Sequence, residues 1–292
     1  MTSSEFAGTA GEGVIVERRL IINADDLGIS PGVNRGIFDA HAAGTVTSAS
    51  LLANAPGLAD AITRLRDAST LHVGLHLNLT AGAPVAQSGD VTSLWDPRTG
   101  EFFPLSRLVR RALMGRVAPD DVAAECTAQL ARLRSLGVNV GHIDAHRHVH
   151  ALPGVWKPVA AVARRAGVRA VRVPRETILP GRVRLGRVLV AASLRAALRL
   201  AVNGRGHDRD LGRADHFRGL DLLGAPDFQR RLLALLDQLQ PGTTELMVHP
   251  GYVDRDLSAW DSYTTGRERE LTALCSLEVR DRLARGDILL VS

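Results

Sequence analysis

Lysine is almost absent from this chain. Of 36 lysine and arginine residues, Lys157 alone is a lysine. No GxxxxGK[ST] loop can therefore be written, and Schiff-base chemistry is not expected. Cysteine is equally scarce. Cys126 and Cys275 cannot build a disulfide framework and fit a reducing compartment. Each lies in an apolar helical pattern and reads as a small buried hydrophobe rather than a nucleophile. Aromatic residues make up 4%, and the formal charge of +5 is not arranged as a basic stripe interleaved with aromatics, so no nucleic-acid partner is expected. The longest apolar stretch, residues 187–202, is interrupted by Arg195 and Arg199, which argues against a membrane span. No GxGxxG follows an apolar strand, which disfavours dinucleotide chemistry. Residues 1–17 are small and polar without the form of a signal peptide; a flexible leader on a cytoplasmic protein is the expectation.

What is present is a 292-residue chain, 45% hydrophobic and 23% charged, the composition of a globular protein with a large core. Short apolar runs alternate with helical patterns. Strands are expected at 19–25, 45–53, 72–80, 140–150, 168–174, 214–220, 244–250 and 287–292. The clearest helices are APDDVAAECTAQLARLRSLG, GVWKPVAAVARRAG and APDFQRRLLALLDQLQPG. About seven such units in one series favour a parallel (β/α) barrel, a single α/β domain over 18–292, rather than two domains. Ser30, Pro31 and Gly44 punctuate the first helix as cap, first helical residue and terminator. Two segments break the rhythm: residues 81–104 read as a long loop and 175–213 as an Arg-rich insertion with helical character. In a barrel such segments build substrate contacts.

Polar residues gather at the ends of four expected strands. Asp25 and Asp26 follow an apolar run; successive strand residues face opposite sides, so both reach one centre only if the strand ends and the chain turns there. In GLHLNLT, alternation puts Gly74, His76, Asn78 and Thr80 on one face. In GHIDAHRHVH it aligns His142, Asp144, His146, His148 and His150. Side chains two apart on a strand start about 6.6 Å apart, whereas an imidazole–metal bond is about 2.0–2.1 Å. That strand therefore supplies one ligand comfortably and at most two. The others orient a ligand, as Asp144 can by accepting a ring N–H, or meet substrate. His249, at a strand end before Pro250 and Gly251, suits acid–base work. Arg172 and Arg175 read either as sugar or anion contacts or as a solvated surface pair.

NADDLGIS with VNRGI, then VTSASLL, GLHLNLT, HIDAHRHVH and ELMVHPGYVD, resemble in order and spacing the YdjC-like (ChbG-type) carbohydrate deacetylases, from about Arg19 to Ser292. The resemblance implies a distorted (β/α) barrel of the glycoside hydrolase/deacetylase type. It implies hydrolysis of the acetamide of N-acetylated sugars such as chitooligosaccharides. It places the metal ligands on Asp26, His76 and His146, the general base on Asp25 and the general acid on His249. Asn78, His148, His150, Arg172 and Arg175 are the expected substrate contacts, with Asp144 behind a ligand. Family members use one divalent ion, commonly magnesium, whereas an Asp–His–His set by its own chemistry favours zinc, cobalt or manganese. A homodimer is a family expectation. Here Ala145 and Arg147 replace the family's Ser and His in DSHHHVH, and Leu27 replaces Phe in NADDFG. Two other readings are a deacetylase of a different amino-sugar conjugate (a glycosylated hopanoid lipid or an antibiotic) and a non-catalytic sugar-binding or metal-sensing barrel.

Overall fold

The computed structural model describes residues 17–176 and 210–292. Most of the expected leader and of the Arg-rich insertion lies outside these residues. Among the described residues, eight parallel strands form one curled sheet: β1 (Arg18–Leu27), β2 (Ser48–Leu51), β3 (His72–Leu77), β6 (Val140–Ala145), β7 (Ala170–Val171), β8 (His216–Arg218), β9 (Gly242–Val248) and β10 (Leu289–Leu290). Along the sheet the order is β7-β6-β3-β2-β1-β9-β8, each strand lying beside its sequence neighbour in the sheet except where the first and last units meet. The free edges approach through the bridges Ala170↔Gly212 and Glu176↔Phe217, which close the barrel between β7 and β8. β10 pairs only with Arg19 and Leu20 of β1, below the point where β2 takes over at Asn23. Thr47 stitches this junction by donating to the Val291 carbonyl and accepting from the Ile22 amide.

Helices cover the outside: α1 (Pro31–Ala42), α2 (Leu58–Leu65), α3 (Leu105–Leu113), α4 (Pro119–Ser135), α5 (Trp156–Arg165), α6 (Phe228–Asp237), α7 (Arg255–Trp260), α8 (Thr265–Cys275) and α9 (Leu277–Leu283). None of the described helices is long and apolar enough to cross a membrane. The strand residues turned toward them are apolar and fully buried: Leu20, Ile22, Ala49, Leu75, Ile143, Leu246 and Val248. This shell between sheet and helices is the hydrophobic core. Residues of opposite parity point inward, and they are polar: Asn23, Ser50, His76, Asp144 and Glu245. Cys126 belongs to the apolar shell, and burial, with Glu125 alongside, pushes its thiol up to about 12.

Three local features differ from what the sequence pattern suggests. β1 does not stop at Asp25. It runs on to Leu27 but carries one extra residue, because the pairing passes from Ala24↔Ala49 to Leu27↔Leu51. Asp26 sits in this bulge at φ 69°, and the bulge brings two consecutive aspartates to one side without ending the strand. The expected strand over 140–150 stops at Ala145. Residues His146–Ala151 form a short 3-10 turn in which Arg147 and His148 both have positive φ, so alternation no longer governs His146, His148 and His150. The 81–104 segment is not structureless: it contains a 3-10 turn at Ser88–Asp90 and a hairpin of β4 (Trp95–Asp96) and β5 (Glu101–Phe102). Its start is braced from α4, where buried Glu125 accepts the amides of Val85 and Ala86, and Gln129 bonds both backbone groups of Asn78.

Helix α1 starts as its sequence signals require, with the Ser30 hydroxyl accepting the Val33 amide and Pro31 at the first position. It lies so close to the turn after β9 that a Cβ on Gly36 would stand 2.6 Å from the Gly251 Cα. Backbone meets backbone there, and neither side can yield. Gly36→Ala is therefore expected to cost about 1–3 kcal/mol of stability by overpacking, read as a lowered denaturation midpoint. An unchanged midpoint would contradict the tight contact between α1 and this turn.

Candidate active site

At the C-terminal ends of β1, β3 and β6 the structure brings Asp26, His76 and His146 together. One potential ligand atom from each lies within 4.8 Å of the others, and all three residues are buried. Asp26 Oδ1 is 2.9 Å from His146 Nδ1 and 3.3 Å from His76 Nε2. The other ring nitrogen of His76 is taken by Asp144 Oδ1 at 2.7 Å, which fixes the ring and leaves Nε2 turned toward Asp26. His146 Nε2 is buried without a protein partner among the described residues. One carboxylate and two oriented imidazoles form a donor set suited to a divalent transition metal, with coordination positions left for other ligands.

Asp25 is held differently. Arg172 donates to both of its oxygens, Nη1 to Oδ2 at 2.6 Å and Nη2 to Oδ1 at 2.7 Å, and Asn23 adds a third donor at 2.8 Å. The same guanidinium reaches Asp144 Oδ2 at 2.7 Å and Glu245 Oε1 at 2.6 Å. Arg172 is thus no solvated surface residue: it lies in the barrel lumen with its donors turned to three carboxylates, while Arg175 is exposed. Ser50 completes the lumen network, accepting from Asn23, donating to Asp144 and lying 3.1 Å from His142 Nε2. His142 in turn occupies the space a side chain at position 74 would need, since a Cβ on Gly74 would fall 2.3 Å from its ring.

Asp26 has its own guanidinium, which the sequence pattern does not reveal. Arg267 of α8 is completely buried and donates from Nη2 to Asp26 Oδ2 at 2.6 Å and to Asp261 at 2.8 Å. Burial pushes the carboxyls of Asp25 and Asp26 up, but Arg172 outweighs it for the first and Arg267, aided by His146, for the second, so both remain below the usual range. Burial likewise disfavours a charged His76, yet the Asp144 charge and hydrogen bond outweigh it and raise the imidazole to about 10.

Of the remaining candidates, His249 follows the Ala24↔Val248 pairing and so stands level with Asp25. Its amide donates to Glu270 at 2.6 Å, and its ring meets Tyr263 edge-on; the Tyr263 hydroxyl donates to the same Glu270. Trp260, also unsignalled in the sequence, tilts against the His146 ring at 6.2 Å. Asn78 is buried with its carboxamide spent on Asn54, Thr80 and Ala81, where it organises the turn after β3. His148 packs edge-on against Phe217, and His150 lies beside Trp156 with Nε2 3.0 Å from the Arg172 carbonyl.

A parallel barrel with a buried carboxylate–imidazole triad at its C-terminal mouth, next to a second carboxylate, has the architecture of a barrel hydrolase. The chain belongs to the YdjC-like protein family, whose model matches residues 19–285. A carbohydrate deacetylase of Brevibacillus brevis is 35% identical over 275 residues, covering 94% of this chain and 98% of that protein. A carbohydrate deacetylase of Mus musculus is 37% identical over 251 residues, covering 80% and 78%. The crystal structure of an Enterococcus faecalis V583 protein assigned to cellobiose-phosphate cleavage superposes with a TM-score of 0.75 at 27% identity, covering 94% of this chain and 97% of that one.

Burial lowers His148 to about 3 and His150 to about 4, so both are neutral when folded but titrate near 6.5 when unfolded. Below pH 6.5 the unfolded chain then binds more protons than the folded one. Stability contributed by these histidines is complete above pH 6.5 and is lost as pH falls toward 4. Urea unfolding at pH 7.5, 6 and 5 should show this loss, with a shallower dependence in His150→Gln. Equal pH dependence in the variant would remove His150 from the account.

Proposed function

We propose that this protein is a metal-dependent amide hydrolase that removes the acetyl group from N-acetylated sugars of the chitooligosaccharide type. The observation that carries the reading is the convergence of Asp26, His76 and His146 on one buried point with Asp25 adjacent in the chain. Membership of a family whose curated relatives are carbohydrate deacetylases supports the sugar amide as substrate. Asp26, His76 and His146 would hold the ion. In such a site a divalent metal supplies Lewis acidity toward a carbonyl oxygen and a more acidic water.

The chain's own residues then divide the proton work. Asp25, ionised through its Arg172 clamp, accepts the proton of the attacking water. His249 donates a proton to the departing amine, and its backbone is fixed for this by Glu270. The balanced result is one acetate and one free amino sugar for each water consumed. Trp260 beside His146 offers an aromatic wall of the kind that packs on the apolar face of a sugar ring, and the 81–104 hairpin region forms the neighbouring surface, with Gly82 in contact distance of Trp260 for a would-be Cβ at 3.5 Å.

The test is acetate release from N,N′-diacetylchitobiose by metal-stripped protein, with manganese, zinc, cobalt or magnesium restored. Wild type should respond to metal, and Asp25→Asn should fall by about 100-fold or more, the contribution expected of a general base. His76→Ala and His146→Ala should lose metal binding measured by calorimetry. Retained metal affinity in both histidine variants would refute the site. Metal binding without acetate release across a panel of acetylated sugars would refute the substrate class.

A further inference from the structure

The mouth of the barrel holds a second group with the makings of a metal site. Asp25, His76 and Asp144 also present one ligand atom each within 4.8 Å of one another, all buried. It adjoins the first group and shares His76, whose Nε2 faces Asp26 and whose Nδ1 faces Asp144. The two groups therefore flank the His76 ring, one at each of its nitrogens. The second group, however, already contains a cation. Arg172 Nη1 lies 2.6 Å from Asp25 Oδ2 and 2.7 Å from Asp144 Oδ2, between the two carboxylates that would ligate an ion. Its Nη2 and Nε extend the hold to Asp25 Oδ1 and Glu245 Oε1.

We propose that the Arg172 guanidinium is a resident cation in the second of two adjoining carboxylate–imidazole sites and thereby keeps the centre mononuclear. The inference rests on the reading of Asp26, His76 and His146 as the metal site. The two guanidiniums of the centre differ in the way this requires. Arg172 bonds both oxygens of Asp25, so the guanidinium fills the place beside that carboxylate that an ion would take. Arg267 takes only Oδ2 of Asp26 and leaves Oδ1 facing His76 and His146. Because a guanidinium cannot be deprotonated in a protein, the occupant is permanent across the working pH range.

Manganese bound per chain, measured by elemental analysis after equilibrium dialysis, tests the proposal. Wild type should hold one ion even at saturating manganese. Arg172→Gln should hold two, and Arg172→Lys, which keeps a cation there, one. Arg172→Gln/Asp144→Asn should return the count to one, which ties the second ion to this cluster. If Arg172→Gln is poorly folded by circular dichroism, Arg172→Gln/Glu245→Gln, relieved of one uncompensated carboxylate, takes its place. A wild-type count of two, or a count of one after Arg172 is neutralised, overturns the proposal and leaves the first metal site standing. A wild-type count of zero overturns both.

Discussion

A fully charged side chain stands where most parallel barrels carry layers of valine, isoleucine and leucine. In this barrel the apolar residues of the strands face outward to the helices, and the lumen is a hydrogen-bonded polar column running from Asn23 and Ser50 to Asp144 and Glu245. Arg172 is the positive centre of that column. Without it, the buried Asp25, Asp144 and Glu245 would face one another unneutralised, and breaking a buried ion pair from one side typically costs about 3–5 kcal/mol. The orientation of the mouth follows from the same contact. Asp144 is held by Arg172 and Ser50, Asp144 holds His76, and His76 meets Asp26.

Two aspartates adjacent in the chain thus acquire different characters from their partners. Asp25 is gripped along its whole carboxylate edge by a strand-end arginine from the lumen side. Asp26 is tethered through one oxygen by a helix arginine from the outer layer. Chemically identical groups can take different parts in one reaction when their surroundings differ in this way. The second layer is equally asymmetric. Glu270 fixes the His249 backbone and the Tyr263 hydroxyl, while the Tyr263 carbonyl accepts from Arg267, so both arms of the mouth are joined through one helix and the turn before it.

The strand–helix series, the cap of α1 and the gathering of Asp25, Asp26, His76 and His146 were legible because hydrophobic periodicity and strand-end polarity are local signals. Where the pattern misled, the reason was also local. HRHVH has the spacing of a strand face, but Arg147 and His148 adopt left-handed backbone, and a 3-10 turn replaces the last expected residues of the strand. What stayed invisible is non-local. Arg267 lies 241 residues from Asp26 in the chain, on a helix whose sequence, TGRERELTALC, reads as an ordinary solvent-facing pattern. Arg172 was visible as a polar residue at a strand end, but a lone arginine does not announce whether it will meet water or three carboxylates. Only the curl of the sheet, which sets β7 across the lumen from β1 and β9, decides that.

The bulge in β1 also determines how the mouth responds to thermal motion. When a barrel breathes, strands slide and tilt against one another, and distances between groups on different strands fluctuate. Asp25 and Asp26 ride on a single peptide unit, so their spacing is a matter of covalent geometry, whereas His76 and His146 move with β3 and β6. Any flexing of the barrel displaces the aspartates as one piece relative to the histidines. Register, too, becomes a matter of chemistry here. Removal of the one extra residue would restore regular pairing with β2 and turn one aspartate outward into the apolar shell beneath the helices. A one-residue deletion in this strand would thus convert a matched pair into a single inward carboxylate and a buried charge with no partner.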